Sequence, residues 1–138
     1  MTTFPLPSLE PAPSDEPRFV AAVVQLTTTQ DPEKNLRMAE AWVTRAAGAG
    51  AKLIVLPENV AYIADDDRDE TKRRIAEAWF DVARARMGAL ARALRVTLVA
   101  GTYPEPDPAS RRVFNTLLVF GPDGGEVARY RKIHLFDI

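Results

Sequence analysis

The segment Lys52-Leu53-Ile54-Val55-Leu56-Pro57-Glu58 constrains this chain more than any other. Four of its first five residues are Leu, Ile or Val, which predicts a strand buried on both faces inside a layered α/β core. Pro57 stops it, because proline brings no N–H to the ladder and holds the preceding residue extended. Glu58 is thereby left at the carboxyl end of a core strand, where open α/β sheets gather their ligands. A carboxylate there is costly unless it is paired or put to use. An N-terminal helix acid or a rim salt bridge would satisfy the same residue without any function.

The surrounding pattern supplies neighbours for that strand. Arg18 to Leu26 reads as a first strand, nearly continuous in apolar residues. Asp31-Pro32 reads as an N-cap followed by proline at the first helical position. The helix it opens runs to about Ala47, with Leu36, Ala39, Val43 and Ala46 or Ala47 on one face, and Gly48-Ala49-Gly50 ends it. Strand, helix and strand with short connections make a βαβ unit with parallel neighbours. A second helix is expected from about Asp69 to Leu94, with a break near Gly88. Its apolar stripe of Ile75, Trp79, Val82, Ala83, Met87, Leu90 and Leu94 reads as core. Val96 to Ala100 is a third strand, Pro104 to Pro108 a surface loop that its prolines keep unpaired, and Val113 to Phe120 a fourth strand. Gly121-Pro122-Asp123-Gly124-Gly125 is a turn that sends Glu126 to Arg131 back as an antiparallel fifth strand. The sheet is therefore mixed.

Composition excludes several classes of function. With 138 residues, 46% hydrophobic and 27% charged, the chain suits one domain with a core. A formal charge of −1 gives no footing for a nucleic-acid partner. No run approaches the length that spans a membrane. Met1 to Pro17 holds five of the eleven prolines and is expected to be a disordered, extended tail rather than a secretory leader. There are no cysteines, which removes disulfides, thiolate-bound zinc and any thiol nucleophile. The expected compartment is the cytoplasm. The acids Asp65, Asp66, Asp67, Asp69 and Glu70 suit a helix N-terminus better than a metal site, since nothing else has ligand spacing. No dinucleotide or phosphate loop is present.

A second charged group stands at the far end of the chain. Lys132 follows Tyr130 and precedes Ile133 and His134, at the end of the fifth strand. If that strand shares a sheet with the one ending at Glu58, the two charges can meet. Such a pair is either a structural ion pair or half of a reaction centre. Asn115, polar within an apolar strand, needs a partner for its amide.

Taken together, Leu-Pro-Glu after a strand, Asn-Thr followed by Phe-Gly-Pro-Asp-Gly, and Tyr-Arg-Lys-Ile-His-Leu-Phe-Asp resemble the nitrilase superfamily of carbon–nitrogen hydrolases, in its amidase-like branch. The resemblance covers Phe19 to Ile138, so 18–138 is expected to be the N-terminal part of such a domain. It implies an α-β-β-α sandwich of which this chain holds roughly half. It also implies a Glu-Lys-Cys mechanism acting on an amide or nitrile of a small molecule, with release of ammonia and no cofactor. Glu58 matches the general base and Lys132 the oxyanion stabiliser. Tyr130, His134 and Asn115 fall in supporting positions around them. The family's nucleophilic cysteine lies beyond the Lys motif and has no counterpart here, so the chain alone is expected to be inactive: a truncated product, one half of a split enzyme, or a non-catalytic relic or interaction module retaining the half-fold. The family usually pairs its sandwiches, so a homo-oligomer is expected of a full-length protein.

Overall fold

In a computed structural model, the described residues are 19–63 and 69–133, apart from the side chain of Asp69. The Pro-rich start, Asp65 to Asp67 and His134 lie outside them. Five strands form one sheet in the order β1-β2-β3-β4-β5, comprising β1 (Val20–Val23), β2 (Ala51–Val55), β3 (Thr97–Pro106), β4 (Val113–Phe120) and β5 (Glu126–Arg131). β1, β2 and β3 are parallel neighbours, whereas β4 and β5 are antiparallel additions. β5 therefore runs in the direction of β2, and the carboxyl ends of both strands reach the same edge of the sheet.

Helix α1 (Pro32–Gly48) joins β1 to β2, and α2 (Asp69–Leu94) joins β2 to β3. Asp31 caps α1, its carboxylate accepting from the Lys34 N–H at 3.1 Å. The expected face of Leu36, Ala39, Val43 and Ala46 is buried. α1 packs on β2, and α2 packs on β3 and β4. Among the described residues no helix is long and apolar enough to cross a membrane.

Four expectations need correction. First, the apolar strands are covered on one face only. Ile54, Leu98, Leu118 and Phe120 are buried, while Val23 on β1 is 85% exposed and Leu53, Val55, Val99, Leu117 and Val119 are half-buried. Both helices lie against the first set, and no described element lies against the second. β1 is also shorter than expected, at four residues. Second, α2 runs through Gly88 without a break. That glycine serves a close approach, since a Cβ there would stand 2.9 Å from the Gly124 carbonyl oxygen in the β4–β5 turn.

Third, the buried stripe of α2 is Ala76, Phe80, Ala83, Met87 and Ala91, and Val82 is exposed. Small alanines bring the helix close to the sheet, and Trp79, Leu90 and Leu94 pack against that stripe while only partly buried. Fourth, β3 continues through Pro104 to Pro106, paired with Asn115, Phe114 and Val113. The Asp107 N–H donates to Arg112 O, which turns the odd-numbered N–H groups toward β4. The nitrogens of Pro104 and Pro106 then face the other side, where β2 pairs with β3 only as far as Val99. Proline is tolerated on such an open edge.

Candidate active site

Glu58 follows β2 in a turn held against β3. The Thr102 N–H donates to Pro57 O at 3.3 Å, the Asn59 N–H to Thr102 Oγ1 at 2.8 Å, and the Val60 N–H to Thr102 O at 3.0 Å. Asn59 adopts a left-handed φ of 57°, a conformation its short polar side chain tolerates. The β3 ladder shifts register between Val99 and Thr102, and Gly101 occupies that irregularity with φ of 73°. A Cβ on Gly101 would sit 2.0 Å from Pro57 O, so only glycine admits the turn this closely. Further along, the buried Asn35 of α1 donates to Ala61 O at 2.9 Å and to Thr29 O at 2.7 Å. Its oxygen accepts from both the N–H and the hydroxyl of Thr29. This amide stitches the loops that leave β1 and β2.

Lys132 arrives from the last strand in the sheet order, at the same carboxyl edge. One residue past β5, its N–H donates to Asn115 O at 2.9 Å, and its Nζ lies 2.9 Å from Glu58 Oε1. Asn115 Nδ2 donates to the same oxygen at 2.7 Å. An ionised carboxylate only accepts, which fixes the orientation of that amide. Asn115 Oδ1 is buried and has no partner among the described residues. Glu58 Oε2 accepts no hydrogen bond among them. The Lys132 hydrogen bond, opposed by partial burial and reinforced by the Lys132 charge and Asn115, holds the Glu58 carboxyl below the usual carboxylate range. Glu58 is thus an anion at neutral pH, clamped through one oxygen.

The pair expected from the sequence is therefore in contact, joined by Asn115. It is more open than a buried pair, with the Glu58 side chain 48% exposed, because it sits at the rim of the uncovered sheet face. Tyr130 lies on that face beside Leu117 and is half exposed. His134 is not among the described residues.

A cluster the sequence reading passed over lies on the other face. Glu105, buried within the segment read as a loop, accepts from Arg129, Arg131 and Thr116. The alternation Arg129-Tyr130-Arg131-Lys132 contained the signal, since a strand sends both arginines to one face and Tyr130 and Lys132 to the other.

Comparison with known proteins adds an independent line. The family profile described as carbon-nitrogen hydrolase matches residues 20–138. The chain is 35% identical over 136 residues to the chloroplastic omega-amidase of Arabidopsis thaliana, covering 96% of this chain and 36% of that protein. It is 33% identical over 121 residues to the deaminated glutathione amidase of a Synechocystis strain, covering 87% and 43%. The chain thus spans well under half the length of these relatives. Among solved structures, the C. elegans NitFhit protein superimposes with a TM-score of 0.78 at 30% identity, over 86% of this chain and 28% of that one. An amidase from Nesterenkonia sp. gives a TM-score of 0.72 at 26% identity, over 86% and 44%.

Proposed function

The chain belongs to the carbon–nitrogen hydrolase family, and from that membership we propose that it supplies the base and the oxyanion-stabilising cation of an amidase-type reaction centre. The observation that carries this reading is the contact of Glu58 Oε1 with Lys132 Nζ at 2.9 Å, at the rim of an uncovered sheet face. The nucleophile is a cysteine outside these 138 residues, and the substrate is a small molecule with an amide or nitrile carbon.

The chemistry follows from the charges. Anionic Glu58 removes the thiol proton, through an oxygen that neither Lys132 nor Asn115 occupies. The thiolate attacks the amide carbon, and the negative charge passes to the carbonyl oxygen. The Lys132 ammonium stabilises that oxyanion together with a backbone N–H. Collapse breaks the C–N bond, and ammonia leaves with the proton that Glu58 had taken, so a thioester remains. Glu58 then deprotonates water for attack on the thioester, and the carboxylic acid departs as the thiol is restored. Lys132 keeps its proton throughout, and Asn115 holds the Glu58 carboxylate in place.

Two measurements test the reading. The isolated 138-residue chain is expected to release no ammonia from glutamine, asparagine or simple nitriles. Grafted in place of the matching segment of a cysteine-bearing relative, residues 19–138 are expected to support amide hydrolysis. In that graft Glu58→Gln should lower kcat by about 10²–10⁴-fold, and Lys132→Met by about 10²–10³-fold. Turnover by the isolated chain that Glu58→Gln abolishes, or a graft indifferent to Glu58→Gln, would overturn it. A non-catalytic module keeping the half-fold is the reading the latter result would favour.

A further inference from the structure

We infer that Glu105 is a positioning residue for this centre, acting from the opposite face of the sheet. It holds Arg131 and Thr116, the immediate neighbours of Lys132 and Asn115, and so fixes both donors onto Glu58. The inference rests on reading Glu58 and Lys132 as the reaction centre.

The geometry is specific. Glu105 Oε1 accepts from Arg131 Nη2 at 2.8 Å and from Arg129 Nη1 at 2.8 Å. Oε2 accepts from Arg131 Nε at 3.0 Å and from Thr116 Oγ1 at 2.7 Å. One carboxylate thus takes a two-bond fork from Arg131 and spends its other lone pairs on Arg129 and Thr116. The planar fork sets orientation as well as distance. The Arg131 guanidinium also stacks on Phe114, 4.4 Å from the ring centroid. Thr116 and Arg131 are register partners on β4 and β5, so Glu105 ties these strands together from β3.

The position of that tie gives it consequence. β5 is an edge strand whose side chains are mostly exposed, so apolar burial does little to hold its end. Lys132 leaves the ladder one residue later on a four-carbon stem with many rotamers. Its reach to Glu58 depends on where the backbone of Arg131 is pinned. Asn115 stands in the same relation to Thr116. Burial opposes ionisation of Glu105, but the Arg131 fork, the Thr116 hydroxyl and the two arginine charges outweigh it and hold the carboxyl below its ordinary range. The tie is therefore intact at neutral pH.

The test follows the Glu58 carboxyl by carbon-detected NMR across an acid titration of the 138-residue chain, beside Glu105→Gln, Arg131→Lys and Arg129→Lys. Positioning predicts that the Glu58 midpoint rises toward the ordinary carboxylate range in Glu105→Gln and Arg131→Lys and stays in place in Arg129→Lys. The direction is diagnostic: removing the negative charge of Glu105 without moving anything would lower the Glu58 midpoint. A folded Glu105→Gln variant whose Glu58 midpoint is unchanged or lower overturns the inference. If that variant does not fold, Arg131→Lys, which conserves charge and loses the fork and the guanidinium stack on Phe114, decides by the same criterion. The outcome is independent of turnover, so a failure here is separable from a graft in which Glu58→Gln has no effect.

Discussion

Two carboxylates of this chain, Glu58 and Glu105, have opposite settings. Glu58 is held at a rim, through one oxygen, by an ammonium and an amide. Glu105 is buried, with both oxygens engaged by two guanidinium groups and a hydroxyl. The same lowering of the carboxyl pKa therefore accompanies different settings: one oxygen left open in one case, both engaged in the other. For Glu105 the depression is also a statement about stability. Its folded value lies below the ordinary 4.5, so its contribution is fully present above that pH and is lost as pH falls through the folded value. Removing one partner of a dry ion pair costs about 3–5 kcal/mol. Arg129 and Arg131 retain 31% and 46% side-chain exposure, so Glu105→Gln is expected to cost about 2 kcal/mol at pH 7. The gap between wild type and variant, measured by urea denaturation at each pH, should narrow as pH falls below about 4.5. A gap that stays constant from pH 7 to pH 3 would show that the ionised form of Glu105 does not contribute.

Strand β3 connects both carboxylates: its irregularity at Gly101 seats the Glu58 turn, and its extension supplies Glu105. Gly101→Ala should therefore be severe. The added methyl meets Pro57 O in a backbone already at positive φ, and such strain costs about 1–3 kcal/mol before the clash is relieved. The expected result is a loss of at least about 2 kcal/mol in denaturation, with the Glu58 midpoint displaced because the turn must lift away. An alanine variant as stable as wild type would mean that the turn is not seated as described. How much of this was legible in the sequence depended on the kind of signal. Periodicity and caps announced α1 through Asp31, Pro32 and the Leu36–Val43 face, and the Gly-Pro-Asp-Gly-Gly turn announced β5. Lys132 and Glu58 could be paired because strand direction puts both at one edge. The extension of β3 was hidden because Pro104 and Pro106 read as breakers, and only a neighbour's absence on one side lets them stay in a strand. The close approach at Gly101 and Thr102 was not legible, since a contact between segments 43 residues apart leaves no local pattern.

Among the described residues, one face of the whole sheet is sealed by two helices and the other is open, although its strands are apolar enough for two covers. Ala21, Val23, Leu53, Val55, Val99, Leu117, Val119 and Tyr130 share the open face by register, and Val23 and Tyr130 are well exposed. Monomers seldom leave a contiguous apolar patch beyond about 300–600 Å². The isolated 138-residue chain is accordingly expected to sediment as a dimer or larger species at tens of micromolar and to bind an apolar dye. The double substitution Val55→Lys with Val99→Lys should shift it toward monomer, because each ammonium can stay hydrated only while the face is open. Both positions are half-buried and face away from the helices, but they are register partners, so the opposed ammonium groups should lower stability by about 1 kcal/mol while the helical core stays folded. A wild-type chain that sediments as a compact monomer without binding dye would mean that this face is already satisfied, and the carboxylate–ammonium rim beside it would then have no room for a second layer carrying a thiol.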